Sequence, residues 1–236
     1  FSSYSLEERV AKDFIIDEAP DLIVNVIDAS NIKRNLYLTF QLLEIGIPVV
    51  VILNMMDVAK RRDIEIDSKK ISEMLRCPVI EASGAKGIGG EDIMRSIVET
   101  SNNKHKYDEF KINYEELEPH INNVEEKIKN TLLPQNKRWL AIKALEGDQT
   151  IIKRLKNEVS DIDGFIKVQE DSFHKKYDKD TVSFLASFRY DSADIIYHKT
   201  VNEKNIGKET LTDKTDKIIL NRYLALPILI GIMFMV

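Results

Sequence analysis

Hydrophobic and polar positions follow two different periods along the first hundred residues. Continuous apolar and β-branched runs at residues 22–27, 49–53 and 79–80 predict strands that are buried on both faces of a parallel sheet. Around these runs apolar residues recur at helical spacing, over residues 5–17, 36–45 and 69–75 and from Glu91 onward. This alternation of helices and strands predicts an α/β fold in which helices cover both faces of the sheet.

Residues 104–215 have a different pattern, in which glycine is rare and helical spacing dominates. We interpret them as a helical domain, separated from the α/β part at residues 1–103 by a polar hinge at residues 101–105. Within the helical domain, Arg189 and Tyr190 are interpreted as core and surface of the bundle rather than as a contact with the α/β part.

An uncharged, apolar run occupies residues 223–236, and three basic residues precede it: Lys214, Lys217 and Arg222. A helix of this length would span roughly 21 Å, which is less than the roughly 30 Å hydrocarbon core of a bilayer. A buried helix of a soluble protein is therefore one interpretation, but basic residues before such a run are typical of a membrane span. We expect residues 216–236 to begin a transmembrane helix, with residues 1–215 on the cytoplasmic side.

The chain is acidic overall, with a formal net charge of −5 over 236 residues. Residues 1–101 hold 12 basic and 17 acidic side chains and residues 102–236 hold 22 of each, so neither half is basic. Nucleic-acid-binding proteins carry a clustered positive surface, and we therefore expect no nucleic-acid partner. The single cysteine, Cys77, cannot form an internal disulfide, and the four histidines lie on separate segments, so we assign no metal site.

Two strand ends carry side chains suited to recognition of a purine base. The second strand ends at Asn54 and is followed by Asp57, and the third leads into Ser83, Gly84 and Ala85. A carboxylate only accepts hydrogen bonds, so Asp57 matches the ring N–H and the amino group of guanine, whereas adenine presents no such pair of donors. Asn54 can brace its loop against the neighbouring one, and small residues let a backbone N–H approach the base oxygen.

These residues and the segments around them resemble the prokaryotic ferrous iron transport protein B family. Asn54-x-x-Asp57 is similar to the fourth consensus motif of GTPases, and residues 83–86 are similar to the fifth. The resemblance covers nearly all of residues 1–101, through residues 4–10, 26–31, 34–38, 46–48 and 53–57. It implies that residues 1–103 are the C-terminal portion of a P-loop GTPase domain whose first strands are missing. Residues 104–215 would then be a regulatory domain similar to a guanine nucleotide dissociation inhibitor.

The resemblance implies GTP or GDP as the ligand, with the base held by these residues: Asn54, Met55, Asp57, Ser83, Gly84 and Ala85. Met55 stands where a lysine is usual, so we expect its thioether to pack on the base and the affinity to be weak. We identify no Gly-rich phosphate loop and no switch segment in the sequence. We therefore expect no catalytic residue here, and Mg²⁺ ligands only in the intact protein.

On this interpretation the chain is an internal fragment of a multi-pass protein of the inner cell membrane that transports Fe²⁺ in a GTP-dependent manner. Whether it hydrolyses GTP or forms a homo-oligomer is left open. Two other classes are also open. One is a soluble GTPase with a helical appendage that acts in RNA or ribosome processing. The other is a non-enzymatic α/β binding module in which Asn54 and Asp57 only cap a helix.

Overall fold

The structure is a computed structural model that describes residues 14, 15, 18, 20–103 and 110–203. Most of the helix predicted over residues 5–17 lies outside this range, although Phe14 and Ile15 are helical. The expected membrane segment, residues 216–236, lies wholly outside it. In the part that is described, no helix combines the length and the apolar character that a membrane crossing needs.

Within the described residues, three parallel strands form the main sheet, in the order β1-β2-β4. They are β1 (Ile23–Asp28), β2 (Val49–Asn54) and β4 (Val79–Glu81), which confirms the strands predicted from the apolar runs. Residues 49–53 are all buried, because β2 is central and both of its faces are covered. Asp28 is in register with Asn54, and Leu53 with Glu81, so the carboxyl ends of the three strands meet at one edge of the sheet.

Among residues 20–103, the helices around this sheet are α1 (Ile32–Glu44), α2 (Met56–Arg61), α3 (Ser68–Leu75) and α4 (Gly90–Asn102). Helix α1 packs on β1 and β2 through the apolar side chains of Leu36, Phe40 and Leu43. It ends before Gly46, whose φ of +83° is the left-handed conformation that glycine adopts without steric cost. Helix α4 packs against β2 and β4. Because successive strand side chains alternate between faces, Val50 and Ile52 point away from the face that α1 covers.

Residues 110–203 form a bundle of five helices: α5 (Glu118–Ile128), α6 (Lys137–Leu145), α7 (Gln149–Lys156), α8 (Ile162–Tyr177) and α9 (Thr181–Thr200). Side-chain oxygens cap several of them, as when Asp148 accepts hydrogen bonds from the first turn of α7. Trp139, only 1% exposed, lies in the core of the bundle. The apolar core is continuous with that of the α/β part, because α9 packs along α1.

A contact between α9 and α1 corrects one interpretation made from the sequence. Arg189 is fully buried and donates hydrogen bonds to both carboxylate oxygens of Glu44, from Nε at 2.8 Å and from Nη2 at 2.9 Å. Its third nitrogen pairs with Glu146, and the ring of Tyr190 stacks on that of Tyr37 with centroids 4.2 Å apart. The interpretation of Arg189 and Tyr190 as belonging to the bundle alone is therefore wrong.

Two short strands were absent from the sequence prediction. Strand β3 (Ile64–Ile66) follows α2 and pairs antiparallel with β5 (Val201–Glu203), which continues directly from α9. The backbone N–H of Asp67 extends this ladder by donating to the carbonyl of Thr200 at 2.8 Å. The last described element of the helical part is therefore hydrogen-bonded to the segment that follows α2.

Candidate functional site

The site predicted from the sequence lies at the carboxyl edge of the sheet, where ligands bind in parallel α/β folds. Asn54 ends β2, Asp57 lies in the first turn of α2, and residues 83–86 follow β4. The backbone joins these loops, because the N–H of Met56 donates to the carbonyl of Ala82 at 3.2 Å.

Asn54 braces one loop against the other, as its donor and acceptor chemistry predicts. Its Oδ1 accepts a hydrogen bond from the backbone N–H of Gly84 at 3.0 Å. A side chain on Gly84 would approach the Asn54 amide to 3.6 Å, so the two loops are in close contact at this point. The bond fixes the distance between the end of β2 and the turn that follows β4.

Asp57 is held by the neighbouring loop. The hydroxyl of Ser83, itself only 3% exposed, donates to Oδ1 of Asp57 at 2.7 Å. This hydrogen bond is the main cause of a lowered pKa at Asp57, with Lys86 and Arg61 adding favourable charge. The carboxylate is therefore ionised at neutral pH and oriented by the hydrogen bond from Ser83 to its Oδ1 atom.

Helix capping does not account for these two side chains. The residue at the N-cap position of α2 is Met55, and no side chain accepts a cap hydrogen bond there. Asn54 and Asp57 bond instead to Gly84 and Ser83 on the next loop. The arrangement is that of a braced pair of loops, and it differs from the geometry expected if both residues were only caps.

The turn after β4 presents an unused backbone donor. Residues 84–86 form a single 3₁₀ turn, in which the N–H of Gly84 bonds to Asn54 and that of Lys86 to the carbonyl of Ser83. The N–H of Ala85 has no hydrogen-bond partner among the described residues, and Ala85 is exposed. The turn therefore presents one free donor on the same loop as Ser83, the residue that orients the Asp57 carboxylate. A ligand that offers an acceptor as well as donors would suit these groups.

Met55 lies beside these groups in a strained backbone conformation. Its φ is +62°, and the residue is 42% exposed. An exposed thioether at this position is available to pack against a flat ring.

Two basic residues near Asp57 were not selected from the sequence. Arg61 places Nη2 3.6 Å from Oδ2 of Asp57, and the charge of Lys86 also favours ionisation of this carboxylate. Both line a cleft of about 330 Å³ that adjoins Asp57 and Ser83. The spacing of four residues between Asp57 and Arg61 on one helix was the available signal for Arg61.

The described residues offer no ligand set for the Mg²⁺ that the resemblance implies, because no group of three His, Cys, Asp or Glu side chains among them is arranged around a metal. One Asp-x-x-Gly sequence does occur, at residues 161–164, which corrects the expectation that no switch-like segment is present. It lies at the start of α8 in the helical part rather than after a strand of the sheet.

Replacing Ser83 with alanine is expected to raise the pKa of Asp57 towards its ordinary value, because the hydroxyl is the main group that stabilises the charged form. The group then binds its proton at a higher pH than in the unmodified protein. An NMR titration of the Asp57 carboxyl carbon measures the change, with Ser101→Ala as the matched control. An unchanged Asp57 pKa in Ser83→Ala would contradict the orienting role of this hydroxyl.

Two protein families match successive parts of the chain. Residues 1–97 match the family described as "Ferrous iron transport protein B", and residues 114–202 match the "FeoB cytosolic helical domain". The chain is 32% identical over 251 residues to the Fe(2+) transporter FeoB of Escherichia coli strain K12, and 32% identical over 234 residues to that of Salmonella typhimurium. Each match covers 99% of this chain but only 29% of the relative, so the chain spans less than a third of these transporters.

Solved structures of similar proteins share the fold described above. A mutant of S. thermophilus NFeoB bound to GDP superposes with a TM-score of 0.74 at 30% identity, covering 85% of this chain and 77% of that one. The mGMPPNP-bound NFeoB from S. thermophilus gives a TM-score of 0.72 at 30% identity, covering 88% of this chain and 76% of that one. Taken with the matches over both parts of the sequence, these similarities show that the chain belongs to the FeoB family of ferrous iron transport proteins.

Proposed function

We propose that the carboxyl edge of the sheet binds the base of a guanine nucleotide, GTP or GDP. In this proposal Asp57 accepts hydrogen bonds from the ring N–H and the amino group, and the free N–H of Ala85 donates to the base oxygen. Asn54, Ser83 and Gly84 hold these two groups at a fixed separation. The thioether of Met55 packs on the face of the base.

The observation that carries this proposal is the pairing of an ionised acceptor with a free donor. Asp57 is oriented by Ser83, and the unpaired N–H of Ala85 lies on the same loop as Ser83. Guanine presents two donors beside one carbonyl oxygen, which is the complementary pattern. Adenine presents an amino donor next to a ring acceptor, so the Asp57 carboxylate would face a lone pair.

In the intact protein we propose that this part is cytoplasmic and regulates Fe²⁺ uptake across the cell membrane in response to GTP, with Mg²⁺ bound beside the phosphates. The support comes from the relatives, which are Fe(2+) transporters, and from their structures in complex with GDP and mGMPPNP. Residues 114–202 match a domain described as cytosolic and helical, which supports the same placement. The neutral to acidic charge balance does not favour the alternative role in RNA or ribosome processing.

A panel of nucleoside diphosphates tests the proposed base recognition in the intact protein. We expect GDP to bind most tightly and IDP, which lacks the amino group, to bind about tenfold to a hundredfold more weakly, because one hydrogen bond to a charged acceptor is lost. ADP should bind more weakly still. Isothermal titration calorimetry at constant Mg²⁺ provides the affinities.

The triphosphates serve as the control in this experiment, because they change the phosphates and leave the base contacts intact. GTP and ITP should show the same ratio of affinities as GDP and IDP. Equal affinities for GDP and IDP would rule out Asp57 as an acceptor for the amino group. Equal affinities for GDP and ADP would reject guanine recognition as a whole.

A further inference from the structure

A groove runs along one face of helix α9, in the helical part of the chain. It has a volume of about 730 Å³. Its floor is formed by side chains that recur at helical spacing over residues 180–195, and its walls are the 3₁₀ turn before α5 and the C-terminal end of α8. At 1.5 Å per residue the α9 face is roughly 22 Å long, which is the length of a helix of about four turns.

The floor of this groove is apolar and is supported by aromatic contacts beneath it. Phe184 and Phe188 line the floor, and Ile195 lines it one to two turns further along α9. The ring centroid of Phe184 lies 5.2 Å from that of buried Phe173, and the centroid of Phe188 lies 5.3 Å from that of buried Tyr114. Ile195 is 52% exposed, so an apolar side chain placed in the groove would remove it from water.

The charged side chains that line the groove are mainly acidic. One lysine lines it, and its Nζ lies 5.4 Å from the centroid of the Phe184 ring. The carboxylates outnumber this ammonium group by five to one, and they belong to Glu115, Glu116, Asp178, Asp180 and Asp191. We call this surface the acidic groove.

Most of these carboxylates have no charged partner. Asp180 caps α9 by accepting a hydrogen bond from the N–H of Ser183 at 2.7 Å. The other four form no ion pair with any residue that the structure describes. Positive charges on an occupant would therefore find unpaired carboxylates rather than displace existing ion pairs.

The carboxylates are distributed along the groove rather than gathered at one point. They come from the turn before α5, from the segment that follows α8 and from the middle of α9. Among the described residues, no three His, Cys, Asp or Glu side chains are arranged around a metal. The charge therefore matches a ligand that carries several cations at intervals beside an apolar face, which is the pattern of a basic amphipathic helix.

We propose that the acidic groove binds a basic, amphipathic helix of a partner protein. The apolar face of this helix packs on Phe184, Phe188 and Ile195, and its lysine or arginine side chains pair with the carboxylates of the rim. The site is separate from the proposed guanine site and does not depend on it, because none of the residues that we assign to the base lines the groove.

A designed peptide tests the proposal, because it requires only the chemistry of the partner helix. The probe is the fluorescein-labelled peptide Lys-Leu-Ala-Lys-Lys-Leu-Ala-Lys-Leu-Ala-Lys-Lys-Leu-Ala-Lys, in which the leucines share one helical face. Its binding to the full chain without nucleotide is followed by fluorescence anisotropy. One control peptide has the same residues shuffled so that the leucines no longer share a face, and a second has glutamate in place of every lysine.

We expect both control peptides to bind at least about tenfold more weakly than the probe. The shuffled peptide keeps the charge but cannot bury its leucines on the floor of the groove. The glutamate peptide keeps the apolar face but meets the carboxylates with a like charge.

Variants of the chain give a second measurement. Asp191→Lys reverses an exposed charge in the groove and should weaken binding of the probe about threefold to tenfold, whereas Glu73→Lys reverses an exposed charge on α3 and should leave it unchanged. Ile195→Ser should weaken the probe to a similar extent. Its control is Val168→Ser, at a residue of α8 that is 61% exposed and lies outside the groove.

The results separate the proposal from its alternatives. Equal binding of the probe and the shuffled peptide would overturn the packing of a helix in the groove, and this comparison needs no change in the protein. Unchanged binding to both Asp191→Lys and Ile195→Ser would also overturn it. A concentration-dependent dimer that Asp191→Lys abolishes would assign the acidic groove to a second copy of the chain instead of a partner helix.

Discussion

Replacement of Arg189 by leucine is expected to lower the free energy of unfolding by about 3–5 kcal/mol, the usual cost of removing one partner from a buried ion pair. Arg189 is fully buried, and the side chains of Glu44 and Glu146 that it bonds are 3% and 10% exposed. Burial alone would lower the pKa of Arg189, but the two carboxylates raise it well above its ordinary value, so the guanidinium is charged. Its loss leaves the buried Glu44 carboxyl group without its cationic partner.

The charges around Arg189 explain why Glu44 is the residue most affected. Glu146 also pairs with Lys143. The positive charges of Lys143 and Arg189 lower the pKa of Glu146, although burial acts in the opposite direction. Among the described residues, the side chain of Glu44 would then keep only a hydrogen bond from the hydroxyl of Tyr114, whose pKa is raised by burial and by the Glu44 charge. Glu44 also ends helix α1, where the helix dipole disfavours a negative charge.

Urea denaturation followed by fluorescence of Trp139, the single tryptophan, measures this cost. The double variant Arg189→Leu with Glu44→Leu should recover most of the lost stability, because Glu146 and Lys143 remain paired. Arg34→Leu, at an exposed position of α1, is the control and should change stability by less than about 0.5 kcal/mol. A double variant as unstable as the sum of its single variants would show that Arg189 and Glu44 do not act as a pair.

The Arg189 contact also shows where prediction from the sequence stops. Helices and strands of the α/β part were predictable because periodicity is a local property, and Gly46 marked the end of α1 through its own backbone preference. Glu44 and Arg189 are separated by 145 positions, and a charged residue on an amphipathic helix is most often exposed. No local pattern distinguishes this buried pair from two solvated side chains.

Strands β3 and β5 were missed for a related reason. Each has three residues, which is too short for an alternating pattern to be distinguished from chance, and each pairs only with the other. Their stability comes from a non-local ladder between segments more than a hundred positions apart. A backbone donor was expected from the loop at residues 83–85, but its assignment to Ala85 was not predictable, since it depends on which neighbouring groups the 3₁₀ turn uses.

By contrast, the proximity of the two loops at the carboxyl edge of the sheet was predictable, because chemistry and topology agree there. Parallel strands place their carboxyl ends at one edge, so Asn54 and Ser83 had to be close once both strands were assigned. The contacts from Asn54 to Gly84 and from Ser83 to Asp57 follow from the donors and acceptors that these side chains carry. The sequence could not show which oxygen of Asp57 remains available to a ligand.

The change from Asp57 to asparagine is expected to reverse base preference in the intact protein. Two hydrogen bonds from guanine to a charged acceptor are lost, and the asparagine amino group meets the amino group of the base. We expect affinity for GDP to fall by about a hundredfold to a thousandfold. Xanthine carries an oxygen where guanine has the amino group, so XDP should become the better ligand, since the new amide donates to that oxygen. Displacement of a bound fluorescent nucleotide by GDP or by XDP measures both affinities.

The geometry of the site makes this substitution interpretable. Asparagine retains an oxygen that can accept the hydrogen bond from the Ser83 hydroxyl, so the loops on either side keep their brace. Asp92→Asn makes the same chemical change on an exposed residue of α4 and should leave both affinities unchanged. A loss of GDP affinity without any gain for XDP would mean that the charge of Asp57 matters but that its oxygens do not contact the base. Unchanged GDP affinity would mean that Asp57 only holds the two loops together.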